Sequence, residues 1–237
     1  DGLLAIIQPE EAGTDCSPKY DEILGLTDLS NKGFIEALNK IYSSYELIRS
    51  DETGMLNADV FHVEDVLVNS IYALGLQSLA RLLGNSIESL EFRDDASKTM
   101  ESLVNKCWDV DTEAFLDLNG LQEIPNRTVT ISSLMPIILP DLSPDIVKRL
   151  VEKWIISEDH FWLPYPLPSV PASNSKFIPG DPHGFIWRGP SWINTNWFIT
   201  KGLKLHGYQE LADDISAKSL ACIQKSGFRE YYNPYTG

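Results

Sequence analysis

The sequence predicts an all-α protein built from helical hairpins, in the arrangement of an α-hairpin toroid. Long segments repeat apolar residues at the 3.6-residue period of a helix, most clearly between Phe61 and Leu83. Glycines such as Gly84 and Gly207 end these segments just before another helical segment begins, which indicates tight helical hairpins. Strands do not alternate with the helices, so a βαβ fold is excluded. We therefore expect about seven helices in successive antiparallel pairs.

Each helix is predicted from its apolar positions and its end signals. The predicted helices run from Ser30 to about Ile48, from Phe61 to Leu83, from Asn85 to about Leu90, from Asp95 to Cys107, from Ser143 to about Ile155, from Gly189 to near Gly207, and from Tyr208 to Ser226. Asn85 and Glu88 have the spacing of a variant capping box. Ser143 is followed by Pro144, which is the pattern of an N-cap with proline at the first helical position.

Two segments between the helices are predicted to be non-helical. Trp108–Asp117 has the pattern of a small β-hairpin, and Trp162–Pro182 holds six prolines in what reads as an extended loop. No shift in composition marks a second domain, so we interpret residues 1–237 as a single domain.

Charge and composition exclude several classes of partner. The chain has 34 acidic and 19 basic residues and a net charge of −15, which disfavours binding to nucleic acid or to anionic membranes. The longest apolar run, Leu134–Leu139, is far shorter than the roughly 20 residues of a membrane-spanning helix. Three widely spaced cysteines argue against a disulfide framework and mildly favour a reducing compartment, which we take as the cytoplasm.

Motifs for metals and cofactors are absent from the sequence. The four histidines lack metal-binding spacing, and Asp109-x-Asp111-x-Glu113 begins like a calcium loop but has Ala114 where the sharp turn requires glycine. Phosphate loops, dinucleotide fingerprints and nucleophile elbows are also missing. The sequence therefore predicts no metal and no cofactor.

Carboxylates beside aromatic residues form the remaining candidate site. Glu10–Pro18 is a polar loop that contains Asp15, and Phe228–Pro234 places Glu230 among aromatic residues. Glycoside hydrolysis needs one carboxylic acid to protonate the leaving oxygen, one carboxylate to activate water or attack, and aromatic faces for the sugar. By spacing alone the signal is weak, and solvated loop carboxylates are the favoured interpretation of these acids.

Three motifs resemble a known family. They are Pro9–Asp21, the tryptophan-rich segment Trp187–Trp197 with its Arg-Gly-Pro core, and Gly227–Gly237. Together they resemble the six-hairpin inverting α-glycosidases that include processing α-glucosidase I and the mannosylglycerate and glucosylglycerate hydrolases. This resemblance implies an (α/α)6 toroid and inverting hydrolysis of an α-glucosidic or α-mannosidic bond in a small carbohydrate.

The resemblance also implies roles for individual residues. Asp15 matches the family's general acid, and Glu230 matches its general base. Substrate contacts are implied for Arg49, Trp187, Trp192 and Tyr231. The structural alternatives are a surface salt bridge for Arg49 and core packing for the tryptophans.

Two features depart from the family pattern. Glu10 stands where the family has tryptophan and Cys16 where it has asparagine, which alters the surroundings of Asp15. A six-hairpin barrel also needs well over 237 residues, so we expect a barrel truncated at both ends whose exposed helical faces self-associate. The alternatives are a non-catalytic module that binds carbohydrate through its aromatic residues, an inactive fragment, and a scaffold with solvated acids.

Overall fold

The computed structural model describes residues 2–48, 52–180 and 184–237. Within these ranges the protein is mostly helical with a few two-residue strands. The helices are α1 (Asn31–Ile48), α2 (Glu52–Asn57), α3 (Val66–Leu83), α4 (Ile87–Ser102), α5 (Pro144–Arg149), α6 (Ile193–Leu205) and α7 (Gln209–Ser226). Single wider turns of π-helix extend α4 through Leu103–Cys107 and α5 through Leu150–Ile155.

Two helical hairpins and one central segment organise the core. In each of the pairs α3–α4 and α6–α7, a three-residue turn joins the two helices, which pack against each other. Ile131–Ile138 is a 3₁₀ segment that is buried throughout and packs against both α3 and α6. The side chain of Thr130 accepts a hydrogen bond from Ser132 N, which caps the segment.

Most of the predicted helices are confirmed. Gly84 and Gly227 end α3 and α7 as predicted, both with positive φ, of 63° and 74°. The break predicted at Asp95 is wrong, because α4 continues through that position and Asp95 pairs on the helix surface with Lys98. The N-cap of α4 is Ser86, which accepts a hydrogen bond from Ser89 N at 3.1 Å.

The beginnings of α3 and α6 differ from the prediction. α3 begins at Val66, not Phe61, because residues 63–64 pair as a strand and Asp65 caps the helix. α6 begins at Ile193, since residues 186–189 form turns and bends and Ser191 pairs with Tyr232 in an isolated β-bridge. A Cβ atom at Gly189 would lie 2.3 Å from Ile178 O, so only glycine fits there.

The predicted β-hairpin is confirmed, and a second small sheet was not predicted. Strands β2 (Trp108–Asp109) and β3 (Ala114–Phe115) pair antiparallel. Strands β1 (Val63–Glu64), β4 (Leu118–Asn119) and β5 (Ile124–Pro125) form an antiparallel sheet in the order β1-β4-β5. Its first strand, β1, ends directly before Asp65, the N-cap of α3, and so fixes the place where that helix starts.

By length and composition, α3 could cross a membrane. Its buried residues include Val66, Ala73, Leu76 and Ala80, and it packs against α4 and the 131–138 segment. Part of its surface is thus packed within the domain, whereas Leu79, Leu82 and Leu83 are exposed.

Candidate active site

The loop that carries Asp15 is built from two short helical turns. Pro9–Ala12 and Pro18–Tyr20 are 3₁₀ turns that each begin with proline, whose fixed φ suits the first helical position. Gly13 closes the first turn with φ 65°, and its amide donates to Glu10 O at 3.0 Å. Asp15 lies between the two turns and is half-buried.

The surroundings of Asp15 favour its protonated form. Burial raises the pKa of the Asp15 carboxyl, the Glu10 carboxylate raises it further, and a hydrogen bond to the backbone opposes both effects. Glu10 in turn accepts a hydrogen bond from the Tyr42 hydroxyl at 2.5 Å, which raises the pKa of Tyr42 to about 12. The other carboxylate oxygen of Glu10 is buried and has no hydrogen-bond partner among the described residues. A raised pKa is the shift that a general acid needs, because the acid must carry a proton when the bond to the leaving group breaks.

Ion pairs attach this loop to the segment that precedes α6. Asp21 pairs with both terminal nitrogens of Arg188, at 2.9 and 2.5 Å, and also with Lys176 at 2.7 Å. Arg188 is fully buried, so this bidentate pair is shielded from water. Cys16 Sγ lies 3.9 Å from Gly184 O, which brings the residue after Asp15 to the same segment.

Three aromatic rings, two of them near this segment, contact one another in a row. Trp187 and Trp192 are stacked with ring centroids 3.9 Å apart and planes 5° from parallel. Tyr231 lies 5.4 Å from Trp192 at an angle of 40°. The two tryptophans are 6% and 5% exposed, whereas Tyr231 is partly exposed. Tyr231 therefore has the most accessible ring of the three.

Glu230 lies in the segment that follows α7, next to Tyr231 in the sequence. The Tyr232 hydroxyl donates to Gly227 O at 2.8 Å and accepts from Arg229 N at 3.0 Å, which fixes the turn after the helix. Ser191 and Tyr232 exchange two backbone hydrogen bonds, of 2.8 and 2.9 Å, which pair this segment with the one before α6. The side chain of Glu230 is exposed.

Three of the six predicted site residues, Trp187, Trp192 and Tyr231, contact one another, and the loop of Asp15 and the segment of Glu230 both contact the segment before α6. Contacts run from the Asp15 loop to the segment of Trp187, through the ring stack, and on to the segment of Glu230. Arg49, the sixth residue, lies outside the described residues. In the three described ranges, no group of three or more histidine, cysteine, aspartate or glutamate side chains could hold a metal ion.

Comparison with known proteins identifies the family. The profile described as "Mannosylglycerate hydrolase MGH1-like glycoside hydrolase domain" matches residues 1–237, which is the whole chain. This chain belongs to that family. The resemblance predicted from the Asp15 loop and the tryptophan-rich segment is thereby confirmed.

Relatives of the MGH1-like glycoside hydrolase domain match this chain along its length. A mannosylglycerate hydrolase of Thermus thermophilus is 28% identical over 100% of this chain and 60% of its own length. A glucosylglycerate hydrolase of Mycolicibacterium hassiacum is 23% identical over 100% and 58%. A crystal structure of a GH63 mannosylglycerate hydrolase from Thermus thermophilus in complex with glucose matches with a TM-score of 0.86 at 25% identity, over 99% of this chain and 60% of that chain. The chain spans about 60% of the length of these relatives.

Sequence patterns missed a group of buried charges beside the Asp15 loop of this MGH1-like domain. Lys19 is fully buried and pairs with Asp65 and Asp117, which are 46 and 98 residues away. Local periodicity cannot reveal such partners because they meet only in the folded chain. The position of Lys19 was one available signal of a buried ion pair, because this lysine lies in a loop with prolines and aromatic residues.

Proposed function

We propose that this chain carries the acid and base of an inverting glycoside hydrolase. The proposed substrates are small α-glycosides such as mannosylglycerate and glucosylglycerate, which the names of its relatives specify. The observation that carries the proposal is the contrast between two carboxyl groups whose segments both contact the segment before α6. Asp15 is half-buried with a raised pKa, whereas Glu230 is exposed.

The two environments fit the two roles of an inverting mechanism. Asp15 protonates the glycosidic oxygen as the bond to the leaving group breaks. Glu230 takes a proton from a water molecule that attacks the anomeric carbon from the opposite face, which inverts its configuration. One water must fit between the carboxyls, so we expect them to lie about 6.5–9.5 Å apart with substrate bound.

Aromatic residues would complete the sugar site. The partial exposure of Tyr231 supports a contact between its ring and the apolar face of the sugar. Trp192 would pack against the Tyr231 ring, and Trp187 would support Trp192 through the ring stack. Arg49 stays in the proposal as a substrate contact.

We also infer the larger architecture and the compartment. The hairpins α3–α4 and α6–α7 fit an (α/α)6 toroid, with residues 1–237 as a single catalytic domain of that barrel. The free thiols of Cys16, Cys107 and Cys222 fit a reducing compartment, the cytoplasm.

Matched single-atom substitutions test the proposed roles. Asp15→Asn and Glu230→Gln should each lower turnover of mannosylglycerate or glucosylglycerate by a factor of about 10² to 10⁴, the usual contribution of a general acid or base. Glu101→Gln, on an exposed face of α4, should leave turnover unchanged. Full activity of Asp15→Asn or Glu230→Gln would refute the role of that residue. Substrate binding without turnover by the unaltered chain would favour the non-catalytic carbohydrate-binding alternative.

A further inference from the structure

A fully buried group of charges lies beneath the Asp15 loop. Lys19 Nζ lies 2.6 Å from Asp65 Oδ2, 2.9 Å from Asp117 Oδ2 and 3.1 Å from Ser132 Oγ. Lys19 is 1% exposed, Asp65 is 0% exposed and Asp117 is 6% exposed. The ammonium group therefore has three protein partners and is shielded from water.

Both carboxylates also hold the beginning of α3. Asp65 Oδ1 accepts hydrogen bonds from Leu67 N at 2.9 Å and Val68 N at 3.1 Å. Asp117 Oδ1 accepts one from Val66 N at 2.7 Å. These are amides of the first helical turn, which have no partner within the helix itself. The group of charges is thereby fixed to the first turn of α3.

Tyr20 extends these contacts to the residue next to Asp15. Its hydroxyl donates to Asp65 Oδ2 at 2.7 Å and lies 3.3 Å from Thr14 Oγ1. Because the Tyr20 proton goes to Asp65, the Thr14 hydroxyl is the donor of the second bond. Asn126 Nδ2 donates to Lys19 O and holds the backbone of the same loop.

Stability alone is a poor explanation for such a group. A buried ion pair is often no more stabilising than apolar residues of similar volume, because each charge loses its hydration. A fully partnered polar network does fix a single arrangement of the groups it joins. Here it joins the start of α3 to the loop of Asp15.

We propose that Lys19 and Tyr20 are positioning residues that hold the Asp15 loop on the beginning of α3. They act through Thr14 and the loop backbone and do not touch the substrate. The activity measurement that tests this inference rests on the proposed function. The measurement of loop order does not.

Tyr20→Phe tests the proposal with the smallest change, since Lys19→Met leaves two buried carboxylates without their cation and risks unfolding. Tyr45→Phe is the matched control. Tyr45 lies in the same small core as Tyr20, and its hydroxyl donates to Ile7 O at 2.6 Å, away from the Lys19 group. Each variant loses one buried hydroxyl.

Alkylation of Cys16, followed by mass spectrometry, reports the order of the loop. Cys16 is the residue after Asp15 and is buried, and Cys222, buried on α7, is the internal control for global unfolding. We expect Tyr20→Phe to raise the ratio of Cys16 to Cys222 alkylation rates about tenfold. Tyr45→Phe should leave that ratio unchanged.

Steady-state kinetics provide the second measurement. Tyr20→Phe should lower kcat about tenfold and change KM less than twofold, because the substrate contacts remain while the acid is displaced. Tyr45→Phe should change neither parameter. An unchanged alkylation ratio in Tyr20→Phe would overturn the positioning role. If the unaltered chain hydrolyses no glycoside, the proposed function fails, and the alkylation ratio still decides the positioning role.

Discussion

The indole rings of Trp187 and Trp192 lie face to face, 3.9 Å apart at their centroids and 5° from parallel. Trp192 Nε1 also donates to Ile186 O at 2.9 Å, so its polar group is satisfied inside the protein. Each tryptophan is less than a tenth exposed. The pair connects the extended segment before α6 to the core and supports Tyr231.

Trp187→Ala should therefore act mainly on stability. Removing a large buried side chain typically lowers the free energy of unfolding by about 3–5 kcal/mol. Trp197→Ala is the control, because Trp197 is 52% exposed and its loss should have about 1 kcal/mol of effect or less. Chemical denaturation of both variants measures the difference. Weaker sugar binding by Trp187→Ala at unchanged stability would instead place this ring under the substrate.

Glu10→Gln should change the pH dependence of hydrolysis. Burial is the main cause of the raised pKa of Asp15, and the Glu10 carboxylate adds to it. Removing that negative charge lowers the pKa of Asp15, so the acid loses its proton at lower pH. The limb on which kcat/KM falls with rising pH should then move to lower pH.

The control for this change is Glu22→Gln, which removes an exposed carboxylate from the end of the same loop region. Its pH profile should match that of the unaltered chain. If the high-pH limb of the Glu10→Gln profile lies at the same pH as that of the unaltered chain, Glu10 does not influence the pKa of Asp15.

Asp117 should make stability depend on pH in an unusual direction. Burial raises the pKa of Asp117 to about 6, with the Asp65 carboxylate adding to the effect and Lys19 opposing it. A raised carboxyl pKa means that the folded state holds this proton more tightly than the unfolded state. Its contribution to stability is therefore present below about pH 4 and is lost as the pH rises through about 6.

The difference in unfolding free energy between the unaltered chain and Asp117→Asn isolates this contribution. It should decrease as the pH rises from 4 to 7. Denaturant unfolding at several pH values measures it. A difference that is constant across this range would contradict the raised pKa.

Exposed apolar side chains predict self-association of the 237-residue chain. Leu82 and Ile87 flank the turn between α3 and α4 and are 85% and 78% exposed. Large apolar patches at a surface favour contact with another protein. We expect light scattering to show a dimer or larger species, and Leu82→Glu with Ile87→Glu to reduce the mass to that of a monomer.

Val110→Glu is the control for that experiment, because Val110 is exposed alone at the turn of the β2–β3 hairpin. It should leave the oligomer intact. A monomeric unaltered chain at high concentration would refute self-association through these helical faces.

The sequence predicted those elements that depend on local signals. The ends of α3 and α7 follow from Gly84 and Gly227, and the β2–β3 hairpin follows from a short alternating segment. The start of α6 was misplaced because Ser191 pairs with Tyr232, 41 residues away, and stays extended.

The same distinction holds for the candidate site. Asp15 and Glu230 were predicted from motifs that are continuous in the sequence. The ion pairs of Lys19 depend on partners that come together only through folding, and no periodic pattern marks them. The resemblance thus named Asp15 and Glu230 as the candidate acid and base, but no sequence pattern revealed the buried partners of Lys19.

Proton NMR of the sugar released from an α-glycoside tests the central claim most directly. If Asp15 and Glu230 act as the acid and base of an inverting hydrolase, the β-anomer should appear first, and the α-anomer should follow only by mutarotation. Asp15→Asn should release neither anomer at a comparable rate. Initial release of the α-anomer would contradict the account, because it requires a covalent intermediate in place of direct attack by water.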